Sequence, residues 1–389
     1  MSGPAINALL PPVTLTTTES EFAIVGGGIV GLSIAYGLLQ KGKTVSLFDE
    51  GDDAIRASRG NFGLIWVQGK GAKMPAYARW TRESARRWKN FASTLADECG
   101  TDLKLQQRGG YSIFLDEASL AAKVALCEKL KSDLNGDYPF EVLGHNAIKK
   151  EEPNIGPRVA GAVMHHEDGH VNSLILLRTL AMAVRRKGGN VYNRARINNI
   201  DANASGFALT ADTAQVHQCG KVVLAAGLGT KKLGQQLGFK VPVRAQRGQV
   251  LITEKMPPII NRPSDEIRQV NEGGIQIGAS AEEVGEDDRE TIVTTAQLAN
   301  NAIDQYPILA NATIVRSWGA LRIMSPDGFP VYQQSLTYPG AYFATCHSGI
   351  TLAAVHAQLL PEWLCDDTEN PGVPGDFNLG DFSEERFDV

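Results

Sequence analysis

The stretch FAIVGGGIVG, residues 22–31, places three consecutive glycines between two apolar segments. Phe22–Val25 has the composition of a short buried strand, and Ile29–Leu39 is rich in apolar residues and good helix formers. A second strand is predicted at Thr44–Phe48, and two acidic residues follow it. The pattern is therefore strand, glycine turn, helix and strand within about thirty residues, which is typical of a βαβ unit.

The glycines of this turn fit the pattern GxGxxG. Gly26 allows the tight turn, Gly28 lets a pyrophosphate approach the backbone, and Gly31 lets the helix pack close to the strand. Because strand, turn and helix occur in the required order, the pattern predicts dinucleotide binding. The alternative is a glycine turn that only packs a helix against a sheet.

The start of the helix and the end of the second strand supply the other expected contacts. Ile29 and Val30 lie in the first helical turn, whose free N–H groups and partial positive charge favour phosphate. Asp49, with Glu50 beside it, lies about twenty residues beyond the glycines, where an acid accepts hydrogen bonds from a ribose. We therefore predict that these four residues contact the dinucleotide.

The overall composition excludes several other functions. The chain has 389 residues, enough for two domains, and a formal charge of −5 without a Lys/Arg-rich run, which argues against a nucleic-acid surface. Its five cysteines are far apart and form no CxxC, and its seven histidines show no metal-ligand spacing. We therefore predict no disulfide framework, no metal site and a reducing compartment.

The N-terminal residues 1–19 lack a basic region and contain only a short apolar stretch broken by prolines. We interpret them as a flexible leader rather than a signal peptide. No apolar run reaches the length of a membrane span. The predicted location is the cytoplasm.

Later motifs distinguish FAD from NAD and carry a resemblance to a known family. They are S-x-x-N-x-G at 58–63, the strand Lys221–Ala225 followed by Ala226-Gly227, G-x-L-R at 319–322, P-D-G-x-P at 326–330, and H-S-G at 347–349. In this combination the sequence resembles the D-amino-acid-oxidase-like FAD-dependent oxidoreductases, from about Phe22 to Phe387. Within them, RGNFGLIWVQGKG and CHSGITLAA are most similar to opine oxidases, cyanide-forming glycine dehydrogenases and iminodiacetate oxidases.

The resemblance implies an α/β (α+β overall) fold with two domains. One is a Rossmann-like FAD domain of the glutathione-reductase type, assigned to residues 20–90, 145–235 and 315–389. The other is a substrate domain with a large, mostly antiparallel sheet, assigned to residues 91–144 and 236–314. An NAD enzyme would not need to return to the dinucleotide site near its C-terminus, whereas the long FAD molecule needs a second cradle.

That second cradle is predicted at the turn Cys346–Thr351, ahead of an apolar helix at Leu352–Leu364. Its N-terminus would favour negative charge on the flavin pyrimidine edge. We expect non-covalent FAD; Cys346 is the one candidate for covalent attachment. The further residues expected at the cofactor are Ser58, Arg59, Asn61, Gly63, Ile197, Ala226, Gly227, His347, Ser348, Gly349, Ile350 and Thr351.

The resemblance also suggests residues for substrate binding and catalysis. Arg322 is expected to bind the substrate carboxylate through a bidentate guanidinium contact; the alternative is a structural salt bridge. Arg247 is a candidate for a second carboxylate or for a domain interface, and Arg59 for a phosphate, the flavin or the substrate. His347 is a candidate catalytic residue with a positional role as the alternative, and Tyr332 is a candidate pocket wall with a place in the hydrophobic core as the alternative.

The predicted function is FAD-dependent oxidation of the C–N bond of a small or N-substituted amino acid, giving an imine that water hydrolyses. A secondary amine with two carboxylates is the favoured substrate. One alternative is a flavoenzyme that oxidises C–OH in 2-hydroxy acids, and another is a flavoprotein that is active only in a hetero-complex. The electron acceptor is left open between oxygen, a quinone and a partner protein of such a complex. The oligomeric state is also left open, with a homo-oligomer as one option.

Overall fold

The computed structural model describes residues 18–51, 56–366, 372–373, 375 and 377–387. Its strands are β1 (Thr18–Val25), β2 (Val45–Asp49), β3 (Leu64–Ile65), β4 (Gly110–Phe114), β5 (Glu141–Gly144), β6 (Gly161–His165), β7 (Gly169–His170), β8 (Asn190–Asn193), β9 (Ile197–Asn203), β10 (Gly206–Ala211), β11 (Val216–Leu224), β12 (Arg244–Lys255), β13 (Ile267–Gln269), β14 (Gly274–Gly278), β15 (Ile314–Met324), β16 (Val331–Gln334) and β17 (Ala341–Thr345). Its α-helices are α1 (Ile29–Gln40), α2 (Pro75–Cys99), α3 (Glu117–Asp133), α4 (His145–Glu151), α5 (Ser173–Arg186), α6 (Thr230–Gln236), α7 (Ile292–Gln305), α8 (Gly349–Gln358) and α9 (Leu360–Cys365).

The first strand lies in the centre of a mostly parallel sheet with the order β16-β17-β11-β1-β2-β8. Alternate residues of β1 face opposite sides, as a strand requires. Phe22 and Ile24 pack in one buried core with α1, α2, α5 and α8, whereas Ala23 and Val25 pack in a second core with β9 and β10. The predicted βαβ unit is therefore confirmed, and the central strands are buried on both faces.

A separate antiparallel sheet has the order β13-β14-β12-β15. One face of it packs against α7, through a core that includes Leu251 and Ala302. A further three-stranded sheet joins β4, β6 and β5, and β3 pairs with β7. The mixed α/β class with separate antiparallel sheets is confirmed, although the antiparallel part is divided between several sheets rather than forming one large sheet.

Strand pairing crosses the predicted domain boundaries. The third FAD segment is predicted at 315–389, yet β15 pairs with β12 of the predicted substrate domain along ten register positions. Likewise β6, within the predicted segment 145–235, pairs with β4 and β5 of the segment 91–144. The hydrogen bonding thus places β15, including Arg322, in the substrate sheet; the remaining boundaries stay predictions.

The two ends of the chain differ in part from the expectations. Residues 1–17 of the predicted leader lie outside the described residues, and Thr18 and Glu19 already belong to β1. The helix expected at Leu352–Leu364 is two helices separated at Leu359, because Pro361 occupies the first turn of α9. Among the described residues, none of the helices combines the length and apolarity of a membrane span. No group of three or more potential metal ligands forms there either.

Candidate active site

The glycine turn after β1 leaves no room for side chains. Gly26 has a φ of +116°, and a Cβ there would lie 2.4 Å from the carbonyl oxygen of Ala225. A Cβ on Gly31 would lie 2.0 Å from the carbonyl oxygen of Gly26. The close packing that the motif predicts is therefore present, and it places Ala226, just beyond the end of β11, beside the turn. A contact of Gly227 with the cofactor stays a prediction.

The N-terminus of α1 is open to a phosphate. Gly28 is its N-cap and has no side chain to cap the helix, and the only side chain that reaches it in the described structure is Ser58, whose Oγ accepts a 3.0 Å hydrogen bond from Ile29 N–H. The Asp49 carboxylate lies directly behind the turn and accepts the Gly27 N–H at 2.8 Å. Unfilled helix N–H groups, a glycine cradle and an acid at the end of β2 together fit the diphosphate and ribose of FAD.

Two further predicted cofactor residues lie next to this cradle. Glu50 forms ion pairs with Arg56 at 2.5 Å and Arg196 at 2.6 Å, so its carboxylate is compensated by protein groups. Ile197 opens β9 with its side chain in the core. Contacts of Glu50 with a ribose, and of the Ile197 backbone with an adenine, stay predictions.

The N-termini of α1 and α8 lie side by side. A Cβ on Gly349 would contact the Val30 side chain at 3.5 Å. Thr351 in the first turn of α8 accepts a hydrogen bond from Trp66 N–H at 3.1 Å and donates one to the Leu64 carbonyl at 3.3 Å. The structure therefore brings together both helix N-termini and the end of the loop that follows β2, as the sequence predicted.

The loop at 58–63 is fixed by its own side chains. The Asn61 carboxamide oxygen accepts the Gly63 N–H at 2.7 Å, and Gly63 has a φ of +83° with the Val171 carbonyl 2.5 Å from where a Cβ would be. Arg59 lies on the exposed side of this loop. Its contact with a flavin, phosphate or substrate stays a prediction.

One face of the four-stranded sheet covers this loop. Trp318 Nε1 donates a 3.2 Å hydrogen bond to the Gly60 carbonyl, and Phe62 lies 3.4 Å from where a Cβ of Gly278 would be. Opposed residues of antiparallel strands share a face, and Trp318 opposes Val250 while Arg322 opposes Gln246. Arg322 therefore lies on the face that covers the cofactor loop.

Arg322 is a mostly buried guanidinium without an acidic partner among the described residues. Its Nη1 makes two long hydrogen bonds, 3.3 Å to the Gln246 carboxamide oxygen and 3.4 Å to the Arg247 carbonyl, and both acceptors are neutral. Burial lowers the pKa of Arg322 from its ordinary value, only partly opposed by the distant charge of Glu282. This is the environment expected of a group that binds a carboxylate of a ligand.

The prediction that Arg247 binds a second substrate carboxylate is corrected by the strand register. Arg247 opposes Leu321 and so lies on the opposite face from Arg322. Its side chain is 5% exposed and forms ion pairs with Glu282 at 2.8 Å and Asp287 at 3.3 Å. A cavity of about 280 Å³ lies on that face, but Glu266 and Glu282 line it, which makes it unsuitable for a carboxylate.

The prediction that Tyr332 forms a pocket wall is also corrected. Tyr332 is 2% exposed and lies in the hydrophobic core behind α8. Its hydroxyl accepts a 3.1 Å hydrogen bond from Trp80 Nε1 and lies 2.7 Å from His356 Nε2. Both bonding positions of the phenol are thus satisfied by protein, and no face of the ring is left for a substrate.

His347 lies between β17 and α8, close to Arg322. Burial, and then the positive charges of Lys70 and Arg322, hold the pKa of His347 well below its usual range. The imidazole is therefore neutral at physiological pH. A neutral imidazole can exchange hydrogen bonds with an amine or a flavin, but it adds no charge to a site that already contains two cations.

The sequence assigned no role to Lys70, which the structure places in this site. Its Nζ donates a 2.8 Å hydrogen bond to Ser348 Oγ, and Tyr77 donates a second to the same oxygen at 3.1 Å. Burial, as the largest cause, lowers the pKa of Lys70 to about 8. The signal in the sequence was a lysine between two glycines, VQGKG at 67–71, directly after an apolar run.

Cys346 is buried at the end of β17, and burial raises the pKa of its thiol to about 12. The thiol is therefore protonated at physiological pH. Because the thiolate is the reactive form, this environment does not favour covalent attachment of a flavin.

Comparisons with known proteins agree with this geometry. The family model for FAD dependent oxidoreductases, DAO, matches residues 21–363. The chain is similar to an opine oxidase subunit from Agrobacterium tumefaciens, with 39% identity over 89% of this chain and 93% of that protein, and to hydrogen cyanide synthase subunit HcnC from Pseudomonas protegens, with 26% identity over 89% and 93%. The crystal structure of glycine oxidase from Geobacillus kaustophilus has the same fold, with a TM-score of 0.83 and 23% identity over 94% of this chain and 98% of that one.

Proposed function

The chain belongs to the DAO family of FAD-dependent oxidoreductases, and on that premise we propose that it oxidises the C–N bond of an N-substituted amino acid. The favoured substrate is a secondary amine with two carboxylates, of the opine or iminodiacid type. The similarity to the opine oxidase subunit, at 39% identity, supports this class.

The predicted enzyme class and cofactor are confirmed: the chain is an oxidoreductase of the amino-acid oxidase type, and FAD is the cofactor of its family. The glycine cradle after β1, Asp49 and the N-termini of α1 and α8 would hold it, without a covalent bond to Cys346. When bound, FAD accepts a hydride from the substrate α-carbon, which leaves an imine that water hydrolyses to a 2-oxo acid and an amine.

The observation that carries the proposal is the guanidinium of Arg322, which has no acidic partner in the part of the chain that the structure describes. It lies on the sheet face that covers the cofactor loop, and its two hydrogen bonds, at 3.3 and 3.4 Å, go to neutral oxygens. A substrate carboxylate would replace these weak contacts with two charge-assisted hydrogen bonds and fix the orientation of the α-carbon.

The buried surroundings of His347 favour a neutral amine. A secondary ammonium must lose its proton before the nitrogen lone pair can drive C–N oxidation. Desolvation in a buried pocket disfavours the charged ammonium and so lowers the pKa of the bound amine. His347, neutral itself, has a ring nitrogen that can accept a hydrogen bond from such an amine; we propose that it positions the substrate.

We also propose that the chain works in the cytoplasm with partner subunits. The opine oxidase relative and HcnC are both subunits of their enzymes. A chain of this kind need not turn over alone, because electron transfer away from the flavin would require the partner. For this reason the test below measures the reduction of the flavin rather than turnover.

The test is anaerobic bleaching of the flavin absorbance by candidate substrates. The purified yellow protein is mixed without oxygen with iminodiacetate, an opine, sarcosine, glycine and D-alanine, and separately with 2-hydroxy acids. We expect bleaching by the amines and the fastest bleaching by the dicarboxylic ones. Arg322→Lys, which keeps the charge but loses the bidentate geometry, should slow it.

Each outcome discriminates between functions. Bleaching by 2-hydroxy acids alone would refute C–N oxidation in favour of the alcohol reaction. Bleaching by glycine but not by iminodiacetate would refute the dicarboxylic substrate and keep the reaction type. Recolouring on admission of air would then identify oxygen as an acceptor.

A further inference from the structure

We propose that Lys70 binds the second carboxylate of the substrate and so makes the enzyme selective for dicarboxylic amines. This inference rests on the proposed function, since it assumes a substrate with two carboxylates. We assign to Lys70 the role of binding the second carboxylate, for which the sequence had suggested Arg247, because the strand register excludes Arg247 from the site. Three observations support this role: the loop holds the lysine in place, the described residues offer it no ion-pair partner, and the charges of the site match a dicarboxylate.

The backbone around Lys70 is built to aim its side chain inward. Gly69 and Gly71 flank it with φ values of +76° and +75°, a conformation that other residues adopt at a cost. A Cβ on Gly71 would lie 2.3 Å from the backbone nitrogen of Ala78, in the first turns of α2. The lysine therefore lies at the tip of a tight turn that is packed against a helix.

Buried side chains hold this turn in place. Gln68 is 4% exposed and donates hydrogen bonds to the Gly110 carbonyl at 3.0 Å and to the Asp168 carboxyl at 2.9 Å. The Tyr138 hydroxyl accepts the Gly69 N–H at 3.1 Å. Such support is characteristic of a residue that is positioned for function rather than left to move with solvent.

The ammonium of Lys70 lacks a compensating charge. Its hydrogen bond goes to the neutral hydroxyl of Ser348, and it forms no ion pair with a carboxylate of the described residues. Ser348 is the N-cap of α8, yet its hydroxyl faces Lys70 and Tyr77 instead of capping the helix. Asp168 acts on Lys70 through space and raises its pKa, but the two side chains share no hydrogen bond or ion pair in the described structure. The Asp168 carboxyl instead accepts hydrogen bonds from Val67 N–H and Gln68 Nε2.

The charges of the site match a dicarboxylate. Arg322 and Lys70 provide two positive charges. Lys70 is hydrogen-bonded to Ser348, next to His347. Arg322 lies on the sheet face that covers the cofactor loop, and its charge lowers the pKa of Lys70. A dicarboxylic amine in its reactive, neutral-amine form carries two negative charges. A monocarboxylic amine carries one and would leave a buried cation unpaired, which is costly. Two carboxylates therefore neutralise the site, whereas one does not.

The competing role for Lys70 is a contact with the flavin pyrimidine edge, since Ser348 is the N-cap of α8. In that case Lys70 would affect the reduction of the flavin by every substrate equally. A role in substrate selection predicts an effect that depends on whether the second carboxylate is present. The two roles can therefore be separated by comparing paired ligands.

The experiment compares the FAD-loaded wild type with Lys70→Gln and Lys70→Met, and uses Lys73→Gln as the matched control because Lys73 is exposed three residues further along the same loop. Binding of oxydiacetate, the non-oxidisable ether counterpart of iminodiacetate, and of methoxyacetate, its monocarboxylic counterpart, is followed by the flavin absorbance. We expect oxydiacetate to bind about 10- to 100-fold more weakly to both Lys70 variants. Methoxyacetate should bind within about twofold of wild type, and Lys73→Gln should change neither.

Equal weakening of both ligands, or none, would overturn the proposal. So would a wild type that binds methoxyacetate as tightly as oxydiacetate. Because neither ligand can be oxidised, these outcomes are independent of the reaction that the enzyme catalyses. If iminodiacetate failed to bleach the flavin while oxydiacetate still bound selectively, the proposed C–N oxidation would be refuted. The assignment of Lys70 as the second carboxylate site would then stand. Retention of FAD and of the wild-type far-UV circular dichroism shows that the variants are folded.

Discussion

Replacing Arg322 with methionine should stabilise the free enzyme while removing substrate binding. The guanidinium is mostly buried, its two hydrogen bonds are long, at 3.3 and 3.4 Å, and its acceptors are neutral. Methionine is unbranched and apolar and has no charge to desolvate, so we expect the free energy of unfolding to rise by about 1 kcal/mol. The loss of a bidentate carboxylate contact should lower the rate of flavin reduction at low substrate by about 100- to 1,000-fold.

The matched control is Arg247→Met, on the adjacent strand and the opposite face. Arg247 forms a 2.8 Å ion pair with Glu282, which retains some contact with solvent. Its loss should lower the free energy of unfolding by about 1 kcal/mol, a value discounted for solvent screening. Flavin reduction by iminodiacetate should remain close to wild type, because this side chain faces away from Arg322.

The assay is therefore a pair of measurements on each variant: thermal unfolding of the FAD-loaded protein, and anaerobic flavin reduction against substrate concentration. The two variants should move in opposite directions on stability and differ greatly on reduction. A destabilised Arg322→Met with normal reduction would show that Arg322 is a structural residue. Equal loss of reduction in both variants would refute the assignment of faces from the strand register.

Three further predictions concern other parts of the site. Gly31→Ala should weaken FAD binding and lower the thermal unfolding midpoint, because its Cβ would lie 2.0 Å from a backbone oxygen. Gly144→Ala is the control, since a Cβ there would lie in open space and should change neither property. Equal FAD affinity in the two variants would refute the assignment of the glycine turn to FAD binding. Burial raises the pKa of Asp168 to about 8 in the folded protein, so at pH values from about 4 to 8 the folded protein holds a proton that the unfolded chain has released. The free energy of unfolding therefore falls as pH rises through this range, by at most about 1.4 kcal/mol per pH unit. Asp168→Asn should reduce that slope in urea unfolding, leaving the contribution of Glu152, whose pKa burial raises to about 7, whereas the exposed Asp97→Asn should keep the wild-type slope; an unchanged slope in Asp168→Asn would refute the assignment. Cys346→Ala should retain its yellow colour, and acid precipitation should release all flavin from wild type; flavin fluorescence that stays with the denatured chain would contradict non-covalent binding.

The dinucleotide cradle was predictable because its residues are local in sequence. Gly26 and Gly31 reflect backbone contacts that leave no room for a Cβ, and the spacing of the motif from Asp49 follows from one helix and one strand. The second helix N-terminus at 349–351 was predictable for the same reason. Arg322 was identified through its family motif rather than through spacing.

The predictions that failed concern residues whose role depends on which way a side chain points across distant strands. Arg247 and Arg322 are chemically equivalent and lie on adjacent strands, and only the register of β12 against β15 places them on opposite faces. Tyr332 is an aromatic residue just beyond the P-D-G-x-P motif, and only packing with Trp80 and His356 places it in the core.

By itself the sequence determined the βαβ unit, the cofactor class and the candidate carboxylate-binding arginine, because short-range backbone constraints and a motif specify them. The tertiary structure alone decided which cations share the candidate substrate site. Lys70 and Ser348 are far apart in the chain, and their 2.8 Å contact forms only when α2, α8 and the loop between β3 and α2 pack together. The physical reason is that charge acts through space: folding creates the burial and the proximity that lower the pKa of Lys70 to about 8 and bring its ammonium against Ser348.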